Sequence, residues 1–149
     1  MTAQTVLDGE GAVRAAVGSH LGTSEWLEVT DAHIAEFVAS TGDPTCAYFA
    51  VSLSNMFLPQ IVEVRGYALG VNYGTQSVQL GTPLQAGDRV RGSASLVDVA
   101  DVKAGIQTTM VIIIERDAAG LADTDRCVIE SLSRWMNPVA PTPKPTDGA

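Results

Sequence analysis

The chain is poor in the residues that most often carry metal and nucleophilic chemistry. It has two cysteines, Cys46 and Cys127, and two histidines, His20 and His33, in 149 residues. None of them falls in a C-x-x-C or a His/Cys cluster, so the spacing supplies no zinc site, and no metal or other cofactor is expected. A disulfide stays open on sequence grounds, but two buried thiols are the simpler expectation. Basic residues are also few: nine Lys and Arg stand against 17 Asp and Glu, for a formal net charge of -8. The sequence pI is about 4.5. The basic residues are scattered, which argues against nucleic acid as a partner, since phosphate binding needs clustered cations. A CoA-bound or carrier-bound substrate would have to meet a local basic spot, for which Arg89, Arg91, Lys103 and Arg134 are the candidates. A long unbroken apolar run is missing as well. The uncharged stretch from Pro44 to Val62 approaches membrane-spanning length, but Pro44, Ser52, Ser54, Asn55, Pro59 and Gln60 interrupt it, so no membrane association is expected. The N-terminus has neither a basic n-region nor an apolar h-region, and the chain reads as cytoplasmic.

What is present fits one domain with a sizeable core. Hydrophobic residues make up 46%, and mean hydropathy is +0.16. That slight excess fits a buried oligomer interface or an apolar ligand cavity. Residues 1–17 are rich in Ala and Gly and read as an N-terminal extension with a short helix over Gly11–Val17. Gly18–Gly22 reads as a loop carrying His20. Ser24–Thr30 alternates like a strand, with Trp26 and Val29 as apolar anchors. Thr30 and Asp31 then give an N-cap, and Ile34, Phe37 and Val38 form an apolar stripe at helical spacing. His33 lies off that stripe, on the polar side. Thr41-Gly42 closes the helix, and Asp43-Pro44 is a turn signal.

From Cys46 to Phe57 the sequence is almost continuously apolar, too long for one strand. It reads as a helix buried on nearly all sides and stopped or kinked at Leu58-Pro59. A strand broken by glycines follows, then three long strands over Arg89–Val99, Gly105–Arg116 and Arg126–Met136. Residues 138–149 read as a flexible Pro-rich tail. The order predicts an α+β fold: a curved antiparallel sheet of about five to six strands over residues 18–137, wrapped around a long buried helix. A second copy, giving a homodimer, would cover apolar surface left outside. Asp43 is the one carboxylate at the mouth of the apolar helix, and it reads equally as a turn or cap residue. Asn55, inside that helix, must find a partner if buried.

Several phrases resemble the MaoC-like (R)-specific enoyl-thioester hydratases and dehydratases, in particular their NodN-like branch. They are V-G-S-H-L-G-T-S-E-W-L-E-V-T-D-A-H-I-A-E-F-V-A-S-T-G-D, then V-N-Y-G, G-D-R-V-R-G-S-A-S-L-V-D-V and V-K-A-G-I-Q-T-T-M-V-I-I-I-E-R. The likeness runs from about Val17 to Met136 and implies a hot-dog fold, a dimer, and an acyl-thioester or other hydrophobic small-molecule substrate. The family's reaction is addition or removal of water by an Asp and a His within G-D-x-x-x-x-H. Asp43 matches the aspartate through Thr41-Gly42-Asp43. Bare spacing puts Tyr48 where the histidine would be. Placing Thr45-Cys46-Ala47-Tyr48 on the family's later I-A-H-G segment removes the histidine loop altogether and puts Phe49 at the glycine. His20 and His33 precede Asp43 and match no catalytic position. The resemblance therefore implies Asp43 and Tyr48 as catalytic candidates, and Phe49, Asn55, Asn72 and Tyr73 as substrate-binding candidates. The implied activity is that of a remodelled lyase or cyclase acting on an acyl or polyketide-type chain. The alternative is a non-catalytic subunit or binding module that pairs with an active homologue.

Overall fold

The computed structural model describes residues 3–139. In chain order the elements are β1 (Thr5–Asp8), α1 (Glu10–Ala15), β2 (His20–Thr23), β3 (Leu27–Glu28), α2 (Asp31–Thr41), α3 (Phe49–Ile61), β4 (Val62–Arg65), β5 (Leu69–Gln79), β6 (Arg89–Val102), β7 (Gly105–Arg116) and β8 (Cys127–Met136). Six of the strands form an antiparallel sheet in the order β2-β6-β7-β8-β5, with β3 also pairing to β6. The α+β class and the strand count agree with the reading of the sequence.

The pleat of β6, β7 and β8 decides which side chains face α3. Val90, Ala94 and Leu96 of β6, Ile106, Met110, Ile112 and Ile114 of β7, and Cys127 and Ile129 of β8 are all buried at alternating positions. Alternation of this kind is what one face packed on a core produces. Helix α3 lays Phe49, Ala50, Leu53, Phe57 and Ile61 on that face. Gly92 of β6 lies directly under Phe57; a Cβ there would sit 2.9 Å from the Phe57 Cβ. The glycine thus lets helix and sheet approach closely. Both thiols are buried and free, and burial pushes Cys127 up to about 11.

Four expectations need correction. Helix α3 is not buried on nearly all sides: Ser52, Asn55, Met56, Pro59 and Gln60 are exposed along one flank. Nor does Pro59 end it, since the helix runs to Ile61. Proline removes one N–H from the ladder, and only two residues remain beyond it. Residues 18–22 are not all loop: β2 begins at His20 and pairs with β6, with Leu21 buried. One inward apolar residue is too little for an alternating pattern to show. Finally, residues 1–17 are not a mere extension. β1 pairs in parallel with β4, from Thr5 beside Val62 to Asp8 beside Arg65, and Leu7 and Val13 are buried in the core. The Pro-rich tail lies almost wholly outside the described residues; Val139 is exposed. Among the described residues no helix is long and apolar enough to cross a membrane.

Candidate functional site

The turn that joins α2 to α3 holds the expected catalytic residue. Thr30 caps α2, its Oγ1 accepting from the His33 N–H while His33 Nδ1 accepts from the Thr30 N–H, at 3.2 and 3.0 Å. His33 is therefore a capping residue. Gly42 ends the helix in the left-handed region at φ 73°. Asp43 follows, and its Oδ1 accepts from both the backbone N–H of Thr45, at 2.9 Å, and the Thr45 hydroxyl, at 2.6 Å. This is a local turn closed by a carboxylate. The Thr45 hydroxyl and then the Thr45 backbone N–H hold the Asp43 carboxyl below its ordinary 3.8, against a weaker opposing effect of burial, with a smaller contribution from the Ala47 N–H. A general base working near neutrality needs the opposite shift.

That electrostatic arrangement is testable. A carbon-detected NMR titration of Asp43 is expected to inflect below 3.8, and Thr45→Ala should move it back up toward that value. A depressed carboxyl stabilises the fold above its unfolded value, and the contribution is lost as pH falls through the folded one. The turn should therefore loosen only under acid conditions. An inflection above the ordinary value in the wild type would reverse this reading of Asp43.

Tyr48 stands at the N-terminal boundary of α3 and is 58% exposed. Phe49 points the other way, into the core, packing edge-on against Phe37 at a centroid distance of 5.4 Å. The cavity it borders lies between α2 and α3, with Leu27, Leu53 and Met56.

The remaining candidates come together elsewhere. A groove runs between the exposed flank of α3 and the β5–β8 side of the sheet. It has two adjoining chambers of about 450 and 310 Å³. Leu58, Val62, Met110 and Trp135 give the larger one an apolar lining, and Val51, Ile112 and Ile129 do the same for the smaller. The inner face of β8 explains why there is space: between Ile129 and Trp135 it carries only Ser131 and Ser133. Trp135 is fixed by donating its indole N–H to Thr108 Oγ1 at 3.0 Å. Gly70 of β5 makes room for the indole ring, which a Cβ there would overlap.

Asn55 of α3 and Asn72 of β5 meet across this groove, Asn72 Nδ2 donating to Asn55 Oδ1 at 3.1 Å. Both border both chambers. Tyr73 borders the smaller chamber, but its ring lies against the Arg134 guanidinium, 3.6 Å from the ring centroid. Glu63 lines the larger chamber and pairs with Arg65 at 3.0 Å. It was not among the residues singled out from the sequence, where it marks only the end of an uncharged run. Neither chamber is lined by a histidine or by Asp43. The expected site is thus split: Asp43, Tyr48 and Phe49 at the turn and helix start, Asn55, Asn72 and Tyr73 at the groove.

The candidate basic spot is dispersed. Arg89 pairs with Asp117 and Arg91 with Glu115, and both lie over Trp26. Arg134 bonds Gln107 and stacks on Tyr73, and Lys103 stands at the β6–β7 turn.

A helix held against a curved antiparallel sheet is the hot-dog arrangement, and solved structures agree. The chain superposes on the monoamine oxidase regulatory protein of Archaeoglobus with a TM-score of 0.58 at 17% identity, covering 78% of this chain and 88% of that one. For the MaoC-like dehydratase of Rhodospirillum rubrum the TM-score is 0.57 at 15% identity, with coverage of 83% and 95%. No family model matches the chain. In sequence it is similar to the 3-hydroxyacyl-thioester dehydratase Z of Mycobacterium tuberculosis, 28% identical over 142 aligned positions that cover 82% of this chain and 92% of the relative. The solved structures agree with the hot-dog fold, and the sequence likeness to this dehydratase agrees with the resemblance to the MaoC-like proteins. Since 82% of 149 residues is about 122, about 20 of the 142 aligned positions face gaps in this chain.

Proposed function

We propose that this protein is a MaoC-derived enzyme that holds a hydrophobic acyl or polyketide-type chain in the α3–β5 groove and guides a lyase or cyclase step. The observation that carries the reading is the Asn55–Asn72 hydrogen bond across a groove lined by large apolar side chains with small hydroxyls among them. Ligand sites are typically apolar with a few placed polar groups. Folding a flexible chain so that its reacting atoms approach one another supplies much of what a cyclisation needs. Donors aimed at a carbonyl oxygen supply electrostatic stabilisation as charge develops there. The family's Asp/His water chemistry is not part of the proposal. Asp43 is engaged by Thr45 and is held in the anionic form. The short connection between α2 and α3 is where we place the lost histidine loop.

The test is turnover of acyl and polyketide-type thioesters by purified protein and by Asp43→Asn. Product from the wild type that persists in Asp43→Asn at a comparable rate supports the groove as the site. Turnover abolished by Asp43→Asn, with the fold intact, would return the chemistry to Asp43.

The assembly we propose is a homodimer formed through β5. All eleven residues of this edge strand are exposed, and none of them is charged. Leu69, Val71, Tyr73 and Val78 are among the large exposed apolar residues. Edge strands that stay unpaired usually carry charges or proline. Pairing of two β5 strands would bury this edge and close the flank of the groove. Val71→Lys is expected to shift sedimentation from dimer to monomer; an unchanged distribution would place the interface elsewhere. A second reading is a non-catalytic subunit that pairs through the same strand with an active homologue. The bonded state of Asp43 favours it, and absence of turnover together with dimerisation only on adding such a homologue would establish it.

A further inference from the structure

The Asn55–Asn72 pair sits at the junction of the two chambers. Among the described residues Asn55, Leu58 and Asn72 alone border both. Away from the pair the large side chains of each chamber are mainly apolar, Met110 and Trp135 on one side and Ile112 and Ile129 on the other, with Glu63 and small hydroxyl residues between them. A ligand matching this pattern has an apolar segment, a polar point and a second apolar segment. The bond between the two amides uses one N–H of Asn72 and the carbonyl oxygen of Asn55. It leaves Asn55 Nδ2 as a donor and Asn72 Oδ1 as an acceptor. The junction therefore offers both hydrogen-bonding senses at one place.

We propose that Asn55 and Asn72 read an oxygen substituent within the substrate chain, so that the groove prefers an acyl chain with a mid-chain ketone or hydroxyl over a plain alkyl chain. This rests on the groove being the substrate site, as proposed above. A ketone accepts from Asn55 Nδ2, and a hydroxyl can in addition donate to Asn72 Oδ1. An unsubstituted chain lays methylene groups against both amides and deprives them of water without replacing its hydrogen bonds, which is unfavourable. Sites built to bond a substrate oxygen discriminate against analogues that lack it because their own polar groups are left unpaired.

The experiment is equilibrium binding of the full chain to decanoyl N-acetylcysteamine thioester and to mono-oxo derivatives with the ketone moved along the chain. At least one oxo compound is expected to bind about tenfold tighter than the decanoyl compound, the scale of one good hydrogen bond and the removal of one unpaired group. Asn55→Leu and Asn72→Leu should each erase that preference, and decanoyl affinity should rise in both, because the amide that a plain chain deprives of water is gone. Both positions are exposed, and Asn72→Ala replaces the leucine variant if its melting temperature falls. A flat profile in the wild type, or a preference that survives in both variants, overturns the inference while leaving the groove as the site. Binding of neither compound class overturns the groove reading and this inference with it.

Discussion

Ser131→Phe is expected to reduce acyl-chain binding by at least about 100-fold, or about 2.7 kcal/mol, without unfolding the protein. Ser131 lies on the inner face of β8, paired with Met110 of β7 and Thr75 of β5. It lines the smaller chamber opposite Val51 and Ser54 of α3. Its neighbours along the strand on that face are Ile129, which is buried, and Ser133. Two consecutive inward serines leave an opening where a larger apolar residue would close the sheet against the helix. A phenyl ring enters existing space there and need not displace the core, so the melting temperature should hold or rise while binding is lost. Overpacking is costly only where no space exists. Calorimetric titration with decanoyl N-acetylcysteamine thioester, paired with a thermal melt, reads both effects. Undiminished binding in a folded Ser131→Phe protein would mean that the chain lies elsewhere.

Phe57→Ala is expected to cost about 3–5 kcal/mol of stability, the range for removing a buried aromatic side chain. Phe57 is 1% exposed and sits over Gly92 at the closest approach of α3 to the sheet. The loss is a large share of the roughly 5–15 kcal/mol that holds an ordinary domain together. Gly92→Ala should also destabilise, by about 1–3 kcal/mol, because the added methyl group meets the Phe57 ring. Because the two positions touch, the double variant should be more stable than the separate losses added together. Urea denaturation of all four proteins checks this, and strict additivity would show that α3 is held on the sheet by other contacts.

The parts of the fold that rest on repeated local pattern were legible. The cap at Thr30, the stop at Gly42, the apolar run of α3 and the alternation in β6, β7 and β8 each follow from spacing alone. The pairing of β1 with β4 was not, because four residues in an Ala- and Gly-rich stretch carry no alternation. The exposed flank of α3 was hidden by the high apolar content of the whole run. The groove itself was the least legible feature. It depends on Ser131 and Ser133, which look like ordinary solvent-facing positions until the register of β8 assigns them inward. Asn55 could be singled out because an amide inside an apolar helix needs a partner. Its bond to Asn72, 17 residues further on, exists only through the packing of α3 against β5. Asp43 illustrates the converse. Its match to the Thr41-Gly42-Asp43 phrase could be singled out as a resemblance, whereas its engagement by Thr45 becomes visible only in the geometry.

The most direct test of the groove as the substrate site is an NMR map of the protein saturated with decanoyl N-acetylcysteamine thioester. The expected shifts fall on the side-chain amides of Asn55 and Asn72, the Trp135 indole N–H and the backbone of Ser131 and Ser133, with Asp43, Thr45 and Tyr48 unmoved. Shifts confined to Asp43, Thr45 and Tyr48, with the groove residues silent, would contradict it.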